Sequence, residues 1–235
     1  MERYFREQME ARILDDYGYR LLPRIWSVNL PNYVNAVAQI VSMIPLTIYH
    51  KRRFVIWKRW LVLNGISFIL RAITIITTVL PKSNSFCAVD AVAGTPEENI
   101  LLEALKMIAG QRMACGDLLF SGHTVHLTFM GLIFTRYGVG IFGKPDGVEY
   151  FVALCFMWSI VCMGYLTLIA THFHYSCDVV VGVLVTATLW TAYHDRLDNL
   201  SELRSGHPLR WLECHEPDKV SGDPERSTLL MKQPA

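Results

Sequence analysis

Residues 150–170 read YFVALCFMWSIVCMGYLTLIA, twenty-one positions without a single charged side chain. The hydrocarbon core of a bilayer is about 30 Å thick and takes roughly 17–25 mostly apolar residues of helix, so this stretch has the length and composition of a membrane span. Four more stretches follow the same pattern with interruptions, at 33–49, 60–80, 118–137 and 178–193. The first of these is the least apolar, because Asn35, Gln39 and Pro45 fall inside it. The expected fold class is an all-α membrane protein, a polytopic helical bundle of five visible spans. The rest of the composition agrees, since 52% of the 235 residues are hydrophobic and only 18% are charged. A net charge of +1 points to neither a nucleic-acid partner nor an acidic one. Three segments follow: a polar N-terminal segment at 1–32, a transmembrane domain at 33–194, and a polar, largely disordered cytosolic tail at 195–235.

Orientation follows from the short loops, because cytosolic loops are enriched in Lys and Arg. Lys51, Arg52, Arg53, Lys58 and Arg59 cluster between the first two spans and put that loop in the cytosol. Counting outward, the loops at 81–117 and 171–177 are non-cytosolic, and the tail with Arg196, Arg204 and Arg210 is cytosolic. The first twenty residues, MERYFREQMEARILDDYGYR, mix both signs of charge and offer no apolar core ahead of a cleavage site, so no secretory leader is read there. Five spans would leave this segment outside, and a further span upstream of it would remove the difficulty. The six cysteines lack the paired CxxC spacing of a zinc site and are too few for a disulfide scaffold.

This topology, drawn without reference to histidine, brings His123 and His174 to the same face of the membrane. Asp178 follows His174 by four residues, which on a starting helix puts the two side chains one turn apart on one side. A carboxylate there can accept a proton from one imidazole nitrogen, fix the tautomer and leave the other nitrogen free as nucleophile or base. A single histidine near a helix end is more simply an interfacial side chain. Three ionisable groups together at membrane depth are costly and mark function. The run Ser121-Gly122-His123-Thr124 adds small residues that let an anionic group approach.

Two motifs, CGDLLFSGHT at 115–124 and HFHYSCDVVV at 172–181, resemble the signature motifs of the sphingomyelin synthase family. KRRF at 51–54, the Arg71-x-x-Thr74 spacing and TVLP at 78–81 are similar to another of its motifs, and the likeness runs from about residue 22 to 194. The resemblance implies a six-span bundle of lipid phosphate phosphatase architecture, with a His-His-Asp centre facing the lumen or exterior, in the Golgi or plasma membrane. It implies transfer of phosphocholine or phosphoethanolamine from a glycerophospholipid to ceramide, without metal or other cofactor. By that pattern His174 attacks the phosphorus, Asp178 orients it, and His123 protonates the departing diacylglycerol. Ceramide then attacks the phospho-histidine with His123 as base. His172 matches the family as a substrate-side residue. Asp117 is either a helix cap or a partner of a catalytic histidine. Arg71, well inside its span, contacts either a lipid phosphate or carboxylate, or forms a structural pair within the bundle. His126, one turn from His123, reads as packing. Cys87 and Cys115 flank one non-cytosolic loop, and the family has cysteines at similar places, which leaves a disulfide tying that loop down and two free thiols as open alternatives. A homo-oligomer is compatible with all of this.

The sequence departs from that family in two places. Leu21-Leu22-Pro23-Arg24 stands where members tend to have Pro-Leu-Pro-Asp, with no span ahead of it, and the role of that aspartate is lost. Phe173 stands where typical sphingomyelin synthases have an acidic residue, so a quaternary ammonium would be held by a ring face rather than a carboxylate, and the head group stays open. Two alternatives remain. Water could replace ceramide, giving a lipid phosphatase or phospholipase C-type hydrolase, or the chain could be an inactive partner of a longer relative.

Overall fold

The computed structural model describes residues 14–27, 29–78, 81, 83, 119–199 and 212–213, and every regular element among them is a helix. In order these are α1 (Tyr17–Leu21), α2 (Leu30–Tyr49), α3 (Arg53–Thr77), α4 (Gly122–Tyr137), α5 (Val139–Phe142), α6 (Val148–Ala170) and α7 (Ser176–Asp198). Among the described residues, three stretches are long and apolar enough to cross a membrane: Gly122–Phe142, Val148–Ala170 and Ser176–Asp198. The protein is an integral membrane protein. Helices α2 and α3 have the length, at 20 and 25 residues, but carry the polar and basic interruptions already noted in the sequence.

Boundaries moved where local chemistry overrode the apolar pattern. The second span, expected to start at residue 60, begins as a helix at Arg53. Lys58 and Arg59 therefore lie on α3 and not in a loop, since neither breaks a helix and their long stems can reach polar surroundings from an apolar surface. The third span, expected from 118, starts at Gly122 because the Ser121 side chain accepts the Thr124 N–H at 3.2 Å and caps it. The fifth runs past the expected end at 193 to Asp198, so the boundary drawn at 195 falls inside a helix. The rest of the tail, apart from 212–213, lies outside the described residues, as does most of the 81–117 loop.

Helix α4 is the most enclosed element, with Val125, Leu127, Phe129, Met130, Ile133 and Phe134 all buried. Helices α2, α3 and α6 pack against it. Close approach depends on missing side chains: a Cβ on Gly164 of α6 would lie 2.5 Å from Leu127 Cδ1, and one on Gly182 of α7 would lie 3.0 Å from Thr124 Cβ. Small residues let membrane helices meet backbone to backbone, where dispersion replaces a hydrophobic drive that lipid cannot supply. Interhelical hydrogen bonds join the same seams. Ser42 Oγ of α2 donates to Met130 O at 3.1 Å, and the Thr128 and Tyr165 hydroxyls meet at 2.7 Å. The outward faces keep exposed apolar side chains, among them Ile40, Ile44 and Ile48 on α2 and Phe151, Phe156 and Met163 on α6, as a lipid-facing surface requires.

The chain divides into two compact units, Met1–Thr186 and Ala187–Ala235. Within the second, the Tyr193 hydroxyl donates to Glu213 Oε1 at 2.7 Å. Every candidate site residue described below belongs to the first.

Candidate active site

The site forms where the starts of α2, α4 and α7 and the 171–175 turn come together. Ser121, fully buried, caps α4 with its side chain, and its N–H donates to the Asp178 carbonyl at 3.3 Å, fastening the start of α4 to that of α7. His123 therefore emerges from the first turn of α4 beside the turn that carries His174. Their ring centroids are 6.1 Å apart, with the Phe173 ring 5.0 Å from His123 and 5.5 Å from His174. His174 is 3% exposed and Asp178 is fully enclosed. The three residues expected to be catalytic are thus brought together.

The expected hydrogen bond from His174 to Asp178 is not closed. His174 Nδ1 lies 3.8 Å from Asp178 Oδ2, an ion-pair distance, and this buried nitrogen has no hydrogen-bond partner. The reason lies in the turn: Asp178 Oδ2 accepts the Tyr175 N–H at 3.1 Å, and Cys177 Sγ sits 3.6 Å from Oδ1. The carboxylate is thereby held by the backbone of its own turn. Catalytic hydrogen bonds are often long before substrate binds, and a small ring movement would close this one.

The N-terminal segment, read as merely polar, supports this turn. Asp16 caps α1 by accepting the Gly18 N–H at 2.8 Å, and the same carboxylate accepts the N–H and Oγ–H of Ser176, the first residue of α7, at 2.8 and 2.6 Å. Burial pushes the Asp16 carboxyl upward, but the hydrogen bonds from Ser176, Gly18 and Tyr19 outweigh it and hold the group below its ordinary value. Leu14 N–H donates to the Tyr175 hydroxyl at 3.2 Å, and Ile25 N–H to the Ala170 carbonyl at 2.9 Å. His172, at a left-handed φ of 55°, stacks on Tyr19 with centroids 3.9 Å apart and planes at 7°. Burial and then the Arg24 charge push its imidazole below the ordinary range. His172 is thus engaged with the N-terminal segment. Replacing Asp16 by alanine removes a charged acceptor for four hydrogen bonds, two of them from Ser176, and the expected cost is about 1.5–3 kcal/mol. Thermal unfolding in detergent should shift down by roughly 2–4 °C per kcal/mol for a chain of this length, and an unchanged Tm would contradict the strap.

Arg71 lies six residues from the end of α3, roughly 9 Å, and not the nine residues expected from an end at 80. Its guanidinium rests against the start of α4, since a Cβ on Gly122 would fall 1.8 Å from Nη1. Gly122 is therefore the residue that lets a cation reach this helix end. Arg71 shares a small cavity with Ser67, Phe68 and His126, and the His126 ring meets Phe68 edge-on at 5.9 Å. Asp117, Cys87 and Cys115 lie outside the described residues. Among the described residues, no three His, Cys, Asp or Glu side chains are grouped to hold a metal ion.

One contact had no signal in the sequence: His123 Nε2 lies 2.7 Å from Oδ1 of Asn32, on the first turn of α2 and 91 residues away.

Residues 114–195, which include all of this site except Asn32, Arg71 and the N-terminal strap, match the family described as PAP2 superfamily C-terminal. The chain carries a PAP2-type domain. Over most of its length it is also similar to members of the sphingomyelin synthase family. It is 24% identical over 193 residues to phosphatidylcholine:ceramide cholinephosphotransferase 1 of Caenorhabditis elegans, covering 77% of this chain and 39% of that protein. Against human sphingomyelin synthase-related protein 1 it is 29% identical over 219 residues, covering 86% of this chain and 50% of the relative. Against phosphatidylethanolamine:ceramide ethanolaminephosphotransferase of Trypanosoma brucei brucei it is 27% identical over 164 residues, covering 67% and 46%. The chain spans half or less of the length of these three relatives. His123 on α4, His174 on the turn before α7 and Asp178 on α7 all lie within the matched residues, whereas α2 and α3 lie outside them.

Proposed function

We propose that this protein is a sphingolipid synthase that transfers phosphocholine or phosphoethanolamine from a glycerophospholipid to ceramide, at a site open to the non-cytosolic leaflet. The observation that carries the reading is the convergence of two imidazoles with 6.1 Å between centroids and a buried carboxylate 3.8 Å from one of them. A near-attack contact of about 3–3.5 Å to phosphorus and a hydrogen bond of about 2.6–3.2 Å to the leaving oxygen together need a gap of this order. With Nδ1 facing Asp178, His174 presents Nε2. This nitrogen attacks the phosphorus, the bond from phosphorus to the diacylglycerol oxygen breaks, and protonated His123 gives that oxygen its proton. Ceramide's primary hydroxyl then passes its proton to His123 and attacks phosphorus, and the P–N bond breaks to restore His174. The imidazolium that His174 becomes is offset by Asp178. Arg71, held against the start of α4, supplies the positive charge proposed for the phosphoryl oxygens. The names of the relatives support a ceramide acceptor, and the basic cluster at 51–59 supports the membrane orientation. A Golgi or plasma-membrane location and a homo-oligomer belong to the same proposal.

The test is to incubate membranes containing the protein with fluorescent ceramide and either phosphatidylcholine or phosphatidylethanolamine. A new fluorescent sphingophospholipid is the expected product, and the donor that yields it identifies the head group. Release of free phosphorylated head group without that product would overturn transfer in favour of hydrolysis, and no product from either donor would overturn the enzyme reading.

A further inference from the structure

We infer that Asn32 is a positioning residue for His123, which fixes the ring so that one nitrogen is permanently committed and the other is left to exchange protons with substrate. The inference rests on the acid–base role proposed above for His123. Asn32 sits on the first turn of α2, just after buried Pro31, and its Oδ1 is 2.7 Å from His123 Nε2. The ring itself is hemmed in by Phe173 on one side and His174 on another, so a single polar contact from a third element completes its orientation.

The chemistry selects which end of the amide faces the ring. His123 must be doubly protonated when it acts as the acid, and an amide NH2 pointed at Nε2 would then oppose two donors. With the carbonyl there, Nε2 keeps its hydrogen in both protonation states and donates it to Asn32 throughout. Nδ1 becomes the nitrogen that gives a proton to the diacylglycerol oxygen and later takes one from ceramide. A neutral carbonyl suits a group that must do both, because it orients the ring without a full negative charge to retain the proton. Asn32 thus ties α2, which lies outside the PAP2-type domain, to the working histidine of α4.

The test uses the full chain in vesicles of the donor phospholipid with fluorescent ceramide. Asn32→Ala is expected to lower kcat roughly 10- to 100-fold, the usual loss when the partner that orients a working histidine is removed. KM for ceramide should stay within about threefold, because no ground-state contact to substrate is lost. Asn32→Asp, which keeps an acceptor oxygen in the same place, should restore kcat to within about tenfold of the parent. In a His123→Ala background, Asn32→Ala should have no further effect, because residues that act through one another are not additive. Normal kcat in Asn32→Ala, a loss confined to KM, an aspartate no better than alanine, or a further loss in the His123→Ala background would each overturn the inference. Should His123→Ala itself retain full transfer, the acid–base role falls first; if that variant is inactive while Asn32→Ala is normal, only the role of Asn32 falls.

Discussion

Replacing His174 by alanine is expected to remove transfer altogether, a loss of at least about 10³-fold in kcat, because no other side chain in the proposed mechanism offers a nucleophile to phosphorus. His174 is 3% exposed and sits on a turn whose backbone is fastened on both sides, by Ser83 Oγ–H to the Phe173 carbonyl at 3.1 Å and by Asp16 to Ser176. Truncating one side chain there leaves the fastenings in place, so the protein should still extract as a folded species. Asp178→Asn is expected to follow His174→Ala in direction. It keeps an oxygen for the Tyr175 N–H, while removing the charge that offsets the His174 imidazolium. His126→Ala, by contrast, should leave turnover largely intact, since that ring packs against Phe68. Equal losses from all three, measured as sphingophospholipid formed per unit of purified protein, would mean that the reaction is centred elsewhere.

His123→Ala is expected to reduce kcat by about 10² to 10⁴, the range typical of a positioned proton donor. The loss should fall on both half-reactions, since one imidazole serves as acid in the first and base in the second. A donor whose leaving group needs no proton, such as an activated aryl phosphodiester, should recover most of the first half-reaction in this variant while leaving His174→Ala inactive. That split separates the proton donor from the nucleophile. If the aryl donor rescued His174→Ala instead, the two roles would have to be exchanged.

How far this was legible in the sequence differs from element to element. The span at 150–170 became α6, Val148–Ala170, because an uninterrupted apolar run leaves helix as the only way to satisfy its backbone in lipid. The start of α3 was missed by seven residues, since weighing Lys58 and Arg59 as loop charges ignores that both are good helix formers with long stems. His123, His174 and Asp178 could be read because each lies in a short motif, two of them four residues apart. The partners that hold them could not. Asn32 is 91 residues from His123, and Asp16 is 160 residues from Ser176. Contacts of that separation follow from how helices are ordered around α4, which no local pattern records. The 3.8 Å gap between His174 and Asp178 is of the same kind, because it depends on the Tyr175 amide drawing the carboxylate away.

The most direct measurement is to supply donor phospholipid carrying a radioactive phosphate, without ceramide, quench in alkali and map the labelled peptide. Acid-labile, alkali-stable label on His174, chased into sphingophospholipid when ceramide is added, is the predicted result. Label on another residue, or transfer that proceeds at full rate with no labelled protein at any time, would contradict it.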